Sequence, residues 1–448
     1  MRVLAEPISG LDERFVSSIL AERSFYNATA VRVAGDGGLR RADGAPDMDR
    51  IAAEIEGWSQ RLPRLRHRLQ HAPAGLMAPA WVPDASFSTT AHLRLHPEVL
   101  EESDISAEIL HGDANGESDM GRSPWNVLVV DLAGGDLLLV IKMHHVLGDG
   151  LSGVSTLDVL LTDASGDRPP LPPAPEVRAP ANALELFIAA WRNFCSSHPT
   201  WAGRRSAAAA KPPLVRLRKV IGRNLRAIRS RSSVGQEQAS ARQYGVTSIE
   251  LKTAQRTARA LGGSLTDLMA AAAAYGVARA VPIGDSSAVT IAVPISGRRS
   301  GDSGMNNQVR VVPVTLVPDG DRAAAVASVH AQSNAGISAG HSVHLSRDTW
   351  DAMATFLPAA FRPRYFVGQP VRNILFWTSL DPSERLGILA SNYLDTLNIT
   401  VVAAADIDMG AILATLQAVL SGADPFQPAA AVASEDRGEW DAVRENAI

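Results

Sequence analysis

Lys142-Met143-His144-His145-Val146-Leu147-Gly148-Asp149-Gly150 is the stretch whose reading decides the fold. An unbroken apolar run, Leu137 to Ile141, precedes it, and Ser152-Gly153 opens a helical-looking segment after it. The pattern H-H-x-x-x-D-G therefore falls where a strand hands over to a loop. A buried strand end is rigid, and the loop beyond it can present an imidazole to a ligand. Such an arrangement suits a single general base whose surroundings are fixed by a nearby carboxylate. His145 and Asp149 are four residues apart, and Gly150 is free to take a backbone angle that a Cβ would forbid. Two other readings compete. One is a pair of structural histidines beside a turn closed by Asp-Gly. The other is a metal site, but adjacent residues on a strand point to opposite faces, a poor start for a shared ion, and no metal is expected.

Working outward, Val127–Leu132 and Leu137–Met143 are two apolar runs joined by Ala133-Gly134-Gly135-Asp136. Paired glycines between such runs signal a hairpin. Near-continuous apolarity says that both faces are covered, so His144 and His145 should sit at the end of a central strand.

The motif resembles the active-site signature of the wax ester synthase/diacylglycerol acyltransferase family, within the larger chloramphenicol-acetyltransferase-like group that includes condensation domains. Other stretches carry the resemblance further. Gly57-Trp58-Ser59-Gln60-Arg61-Leu62-Pro63-Arg64-Leu65-Arg66 resembles the family's first helix and its exit. Trp81, Phe87 and His92-Leu93 resemble the strand that follows, and Arg122-Ser123-Pro124-Trp125 stands where the family has Arg-Pro-Leu-Trp. Leu397-Asn398-Ile399-Thr400-Val401 resembles the last strand.

The resemblance implies an α/β fold of two chloramphenicol-acetyltransferase-like domains with mixed sheets and the active site at their interface. It implies His145 as the base, His144 as a loop-orienting or acceptor-supporting residue, and Asp149 turned away from substrate to pair with an arginine. Gly150 would permit the close turn, and its amide is a candidate oxyanion donor. Asn373 and Asn398 are candidate substrate contacts; Trp125 is either a core anchor or a substrate contact. The donor would be acyl-CoA, a co-substrate rather than a bound cofactor, and the acceptor a fatty alcohol or diacylglycerol hydroxyl. A hydroxyl or amine of a specialised metabolite, and a membrane-surface protein of the same fold without turnover, are the alternatives. This chain departs from the family at Thr266-Asp267, where an Asn-Asp pair is usual. It departs again after Asn373, where Ile374-Leu375-Phe376-Trp377 replaces a Pro-Gly-Pro turn.

A length of 448 residues is too long for one ordinary core. The expected division is an N-terminal acyltransferase domain over 1–165, a proline-rich and basic helical linker over 166–240, and a C-terminal domain over 241–448 with a short acidic tail. Charge is nearly balanced at −4, with 46% hydrophobic and 20% charged residues, as in an ordinary globular protein. The lone cysteine, Cys195, excludes an intramolecular disulfide and fits a reducing, cytoplasmic setting. Glu6, Asp12, Glu13 and Arg14 interrupt the N-terminal stretch, so no signal peptide is expected.

Residues 204–231 hold ten Lys or Arg and no acid. Leu214, Leu217, Ile221, Leu225 and Ile228 step by three or four there, while Arg216, Arg223 and Arg226 fall outside that row. A basic amphipathic helix of this kind can lie on an anionic membrane or lipid-droplet surface, or dock its leucine face as a strut between domains. No groove-reading motif accompanies it, so nucleic acid is not an expected partner.

Beyond the linker, Ser248–Leu261 reads as a helix stopped by Gly262-Gly263. Ser264-Leu265-Thr266-Asp267 reads as a capping box for the apolar helix after it, which makes Asp267 mainly structural. Val289–Ser296 and Val309–Val317 read as strands and Ala323–Ser333 as a helix. Asn306-Asn307-Gln308 resembles the family's Gly-Asn segment ahead of a crossover strand.

Overall fold

The computed structural model describes residues 2–4, 6–8, 26–71, 79–101, 105, 121–171, 176–180, 182–189, 218, 221–222, 242–281, 288–298, 305, 307–338, 350–380 and 384–424. Two six-stranded sheets dominate. In chain order their strands are β1 (Tyr26–Val33), β2 (Leu93–Leu95), β3 (Trp125–Asp131), β4 (Leu137–His144), β5 (Arg242–Glu250) and β6 (Val289–Ser296). Next come β7 (Val309–Leu316), β8 (Ala352–Ala360), β9 (Tyr365–Phe366), β10 (Gln369–Trp377), β11 (Leu386–Tyr393) and β12 (Thr396–Ala404). The principal helices are α1 (Met48–Arg61), α2 (Gly150–Leu160), α3 (Leu251–Ala260), α4 (Leu265–Ala280), α5 (Arg322–Ser338) and α6 (Met409–Ser421).

The first sheet runs β9-β10-β1-β4-β3-β2 and the second β5-β12-β11-β8-β6-β7. Both are mixed: β2 lies parallel to β3, and β8 parallel to β6 and β11, while the remaining pairs are antiparallel. The architecture is α/β and two-lobed, as expected.

The β3–β4 hairpin forms where the paired glycines point, with Gly135 at φ +88° supplying the left-handed residue of the turn. β4 lies between β1 and β3, an interior strand covered on both faces. Leu137, Leu139 and Ile141 join one core cluster; Leu138 and Val140 face the opposite way, into a layer that includes Val402 of β12. The spacing of α1 buries Ile51, Ile55 and Trp58, and Pro63 then starts a short 3-10 turn. The Trp58 Nε1–H donates to the Thr156 carbonyl of α2 at 2.8 Å, seating α1 against the helix that follows the histidine motif.

The sheets do not respect the expected division at residue 241. β9 and β10 come from the C-terminal stretch yet complete the first sheet, β10 pairing antiparallel with β1. The physical reason is that β10 is apolar on both faces. Ile374 and Phe376 enter the core of the first lobe, and Leu375 and Trp377 enter the layer facing the second. A strand of that kind is stable only when sandwiched. The stretch after Asn373 is therefore strand rather than a turn.

Ser248–Glu250, read as helix from sequence, belong to β5, and α3 starts at Leu251. Full-length pairing from Arg242↔Ala404 to Glu250↔Thr396 overrides the local pattern. The capping box at Ser264 and Asp267 is present, and Asp267 also meets His330 Nδ1 at 3.0 Å. Within the expected linker, Glu176–Arg178 pairs in parallel with Arg2–Leu4. Arg216, Arg223 and Arg226 lie outside the described residues, as does the tail from Pro425. Among the described residues no helix is long and apolar enough to cross a membrane.

Candidate active site

β4 ends at His144, and the chain makes a single 3-10 turn, His145–Leu147, before α2 begins. His144 is fully buried. Its Nδ1 accepts the Val146 N–H at 3.1 Å, and its ring stands edge-on to Tyr26 at 5.3 Å. His144 is thus held in place by the Val146 amide and the edge of Tyr26. His145 is half-buried, heads the turn, and is the imidazole of the pair with partial exposure.

Asp149 is the N-cap of α2, its side chain 1% exposed. Oδ1 accepts from Ser152 N at 2.9 Å, Ser152 Oγ at 3.2 Å and Arg298 Nη2 at 3.1 Å, and Oδ2 from Gln308 N at 2.8 Å. Arg298 Nη2 donates in turn to Ser152 Oγ at 2.6 Å. The carboxylate thus turns into the protein and pairs with an arginine, and that arginine arrives from just past β6 of the second lobe. A buried pair so saturated with donors is well compensated.

Two more contacts cross between the lobes here. Asn307 Nδ2 donates to the His145 carbonyl at 2.7 Å. A Cβ on Gly150 would meet Leu357 of β8 at 3.4 Å, an ordinary van der Waals contact, so Gly150 faces the second lobe. Its backbone is not left-handed, so the expected reason for a glycine there, at the first residue of a helix, does not hold. Arg298, Asn307 and Gln308 were not named as site residues from sequence. Only the Asn306-Asn307-Gln308 segment was legible there, and nothing local singles out Arg298.

The candidate substrate contacts each have structural partners of their own, and Trp125 lies directly across from Met143 of β4. Trp125 is 2% exposed; its Nε1–H donates to the Leu65 carbonyl at 2.7 Å and its ring stacks on His92 at 4.5 Å, with Trp58 edge-on at 5.3 Å. His92 Nδ1 lies 2.7 Å from the Trp125 carbonyl, and burial holds its imidazole below the ordinary histidine range. Trp125 is thus buried in the core, its ring stacked on His92 and its N–H occupied, which is the anchor's position of the two expected.

Asn398 is fully buried on β12, donating to Asn373 Oδ1 at 2.8 Å and the Ile374 carbonyl at 3.2 Å, and accepting from Ser248 Oγ at 2.9 Å. Thr400, two residues on, donates to the Phe376 carbonyl at 2.6 Å. Asn373 and Asn398 are thus partners of each other: they stitch the crossover strand β10 to the second sheet. Alternation explains the arrangement, since Leu397, Ile399 and Val401 of β12 face the helices of their own lobe.

The family model described as the wax ester synthase/diacylglycerol acyltransferase catalytic domain matches residues 11–269. The chain belongs to that family. Among curated relatives, a probable diacylglycerol O-acyltransferase of Mycobacterium tuberculosis is 27% identical over 125 residues, 28% of this chain and 27% of that protein. A putative one from the same organism is 33% identical over 119 residues, 25% of this chain and 22% of that protein. The match thus spans about a quarter of the length of these relatives.

Of solved structures, the wax ester synthase/diacylglycerol acyltransferase of Marinobacter aquaeolei VT8 superposes with a TM-score of 0.56 at 16% identity, covering 93% of this chain and 98% of that one. The first condensation domain of the calcium-dependent antibiotic synthetase, with a substrate analogue, gives 0.59 at 15% identity, over 94% and 96%. At such identities the likeness is one of fold.

Proposed function

We propose that this family member is an acyltransferase that moves an acyl group from a thioester, acyl-CoA, to the hydroxyl of a lipid acceptor, a fatty alcohol or diacylglycerol. One observation carries the reading. The half-buried His145 follows the end of a central strand, on a turn held from both lobes by the Asp149–Arg298 pair and the Asn307 contact. In the proposed step His145 takes the acceptor's hydroxyl proton while the oxygen attacks the thioester carbonyl. The C–S bond then breaks, and the departing thiolate recovers the proton from His145. Both substrates are held together, so no acyl-enzyme forms. The Gly150 amide, at the start of α2, is the proposed donor to the developing oxyanion.

A second reading keeps the chemistry and changes the acceptor to a hydroxyl or amine of a specialised metabolite. It is favoured by the Asn373–Trp377 segment, which is strand here where the family has a Pro-Gly-Pro turn. Thiol release from a panel of acyl thioesters, with and without fatty alcohols, diacylglycerol and small amines, tests both readings. His145→Ala should lower turnover by ~10²–10⁴-fold, the usual contribution of a general base, and His144→Ala by less. Equal turnover in wild type and His145→Ala would overturn the assignment.

A further inference from the structure

At the His145–Leu147 turn, Gly148 N reaches the His145 carbonyl at 3.3 Å. That carbonyl has a shorter bond from the other lobe, the 2.7 Å contact from Asn307 Nδ2, and Asn307 is 5% exposed. The next residue, Gln308, gives its backbone N–H to Asp149 Oδ2 at 2.8 Å. Two consecutive residues of the second lobe therefore hold both ends of the loop 145–149. They lead directly into β7, which begins at Val309 and pairs along its whole length with β6.

We infer that Asn307 is a positioning residue, through which the seating of the second lobe on the first sets the orientation of the His145 backbone and hence of its imidazole. The inference rests on reading His145 as the base. A short bond to a peptide carbonyl fixes the plane of the 145–146 peptide, and a side chain follows its backbone. Loss of the donor removes the shorter of the two bonds described at this carbonyl. Since a displacement of about 1 Å at a reacting group can cost roughly 10²-fold in rate, the effect belongs on turnover rather than on substrate affinity. Lobe seating and base orientation are thereby coupled.

Asn307→Asp preserves shape and replaces the N–H donor by a carboxylate; Asn307→Gln keeps a donor on a longer arm. The full chain is used throughout. Asn307→Asp should lower kcat by about 10- to 100-fold with KM for the thioester within about twofold. It should also move the acid limb of the kcat profile to higher pH, because a carboxylate nearby favours the imidazolium. Asn307→Gln should restore most of the lost kcat.

A second readout needs no acyl transfer: the pH dependence of His145 carbethoxylation by diethyl pyrocarbonate, followed by peptide mass spectrometry because the chain has 11 histidines. It should show the same upward displacement in Asn307→Asp. Wild-type protein that releases no thiol would defeat the acyl-transfer reading, and a changed rate of His145 carbethoxylation in the uncharged Asn307→Ala variant would still support the positioning role. An undisplaced titration, or kcat falling in both variants alike in step with their melting temperatures, would overturn the positioning role.

Discussion

Replacing Asp149 by Asn separates a loop anchor from a proton relay. The carboxylate accepts on both oxygens, three donors on Oδ1 and the Gln308 N–H on Oδ2. An amide can accept on one side only. With its oxygen toward Ser152 and Arg298, its NH₂ faces the Gln308 N–H, two donors opposed. The guanidinium of Arg298, its side chain 8% exposed, then has no countercharge at this contact. Breaking a buried pair by removing one partner costs about 3–5 kcal/mol. Because Ser152 keeps its acceptor, the lower end applies, about 3 kcal/mol, which corresponds to a melting temperature roughly 6 °C lower or more at domain sizes of 150–250 residues.

Thermal melts and thiol release are measured on the same preparations. We expect both to fall, and the stability loss to persist in 0.5 M salt, since buried pairs are screened little. A melting temperature equal to wild type together with abolished turnover would refute the anchor and favour a relay.

Trp125→Phe should destabilise by about 1–3 kcal/mol, since the buried Leu65 carbonyl loses its donor, while KM for either substrate stays unchanged; a raised KM at full stability would return Trp125 to the substrate site. Burial and the nearby Arg64 lower the His67 pKa from 6.5 to about 4, so this residue folds as the neutral imidazole. Between those values the unfolded chain binds more protons than the folded one. Stability should therefore decline as pH falls from about 6.5 toward 4, and a His67→Gln variant should show a shallower decline in melts across that range. Finally, the basic row containing Arg216, Arg223 and Arg226 should carry the protein down with anionic liposomes at low salt, where each basic residue contributes about 1 kcal/mol. Charge reversal at the three arginines should release it. Protein that stays in the supernatant would favour a strut and the soluble-acceptor reading.

What the sequence settled by itself was local. The Gly134-Gly135 turn, the apolar runs around it, the capping box at Ser264 and the periodicity of α1 are set by backbone sterics and hydrophobic spacing within a few residues of one another. They placed His145 after the end of an interior strand, and the resemblance built on that motif named the family. Everything that depended on which strands meet had to wait for the tertiary structure. β10 looks from sequence like an altered loop, and only its two apolar faces, each needing cover, draw it into the first sheet. Asn373 and Asn398 look like polar site residues until the strands carrying them are seen to satisfy each other. Arg298 and Asn307 lie some 150 positions beyond the motif that they hold. A hydrogen bond between distant segments leaves no periodicity in the chain, so the clamp on the loop 145–149 was decided by the packing of one lobe on the other.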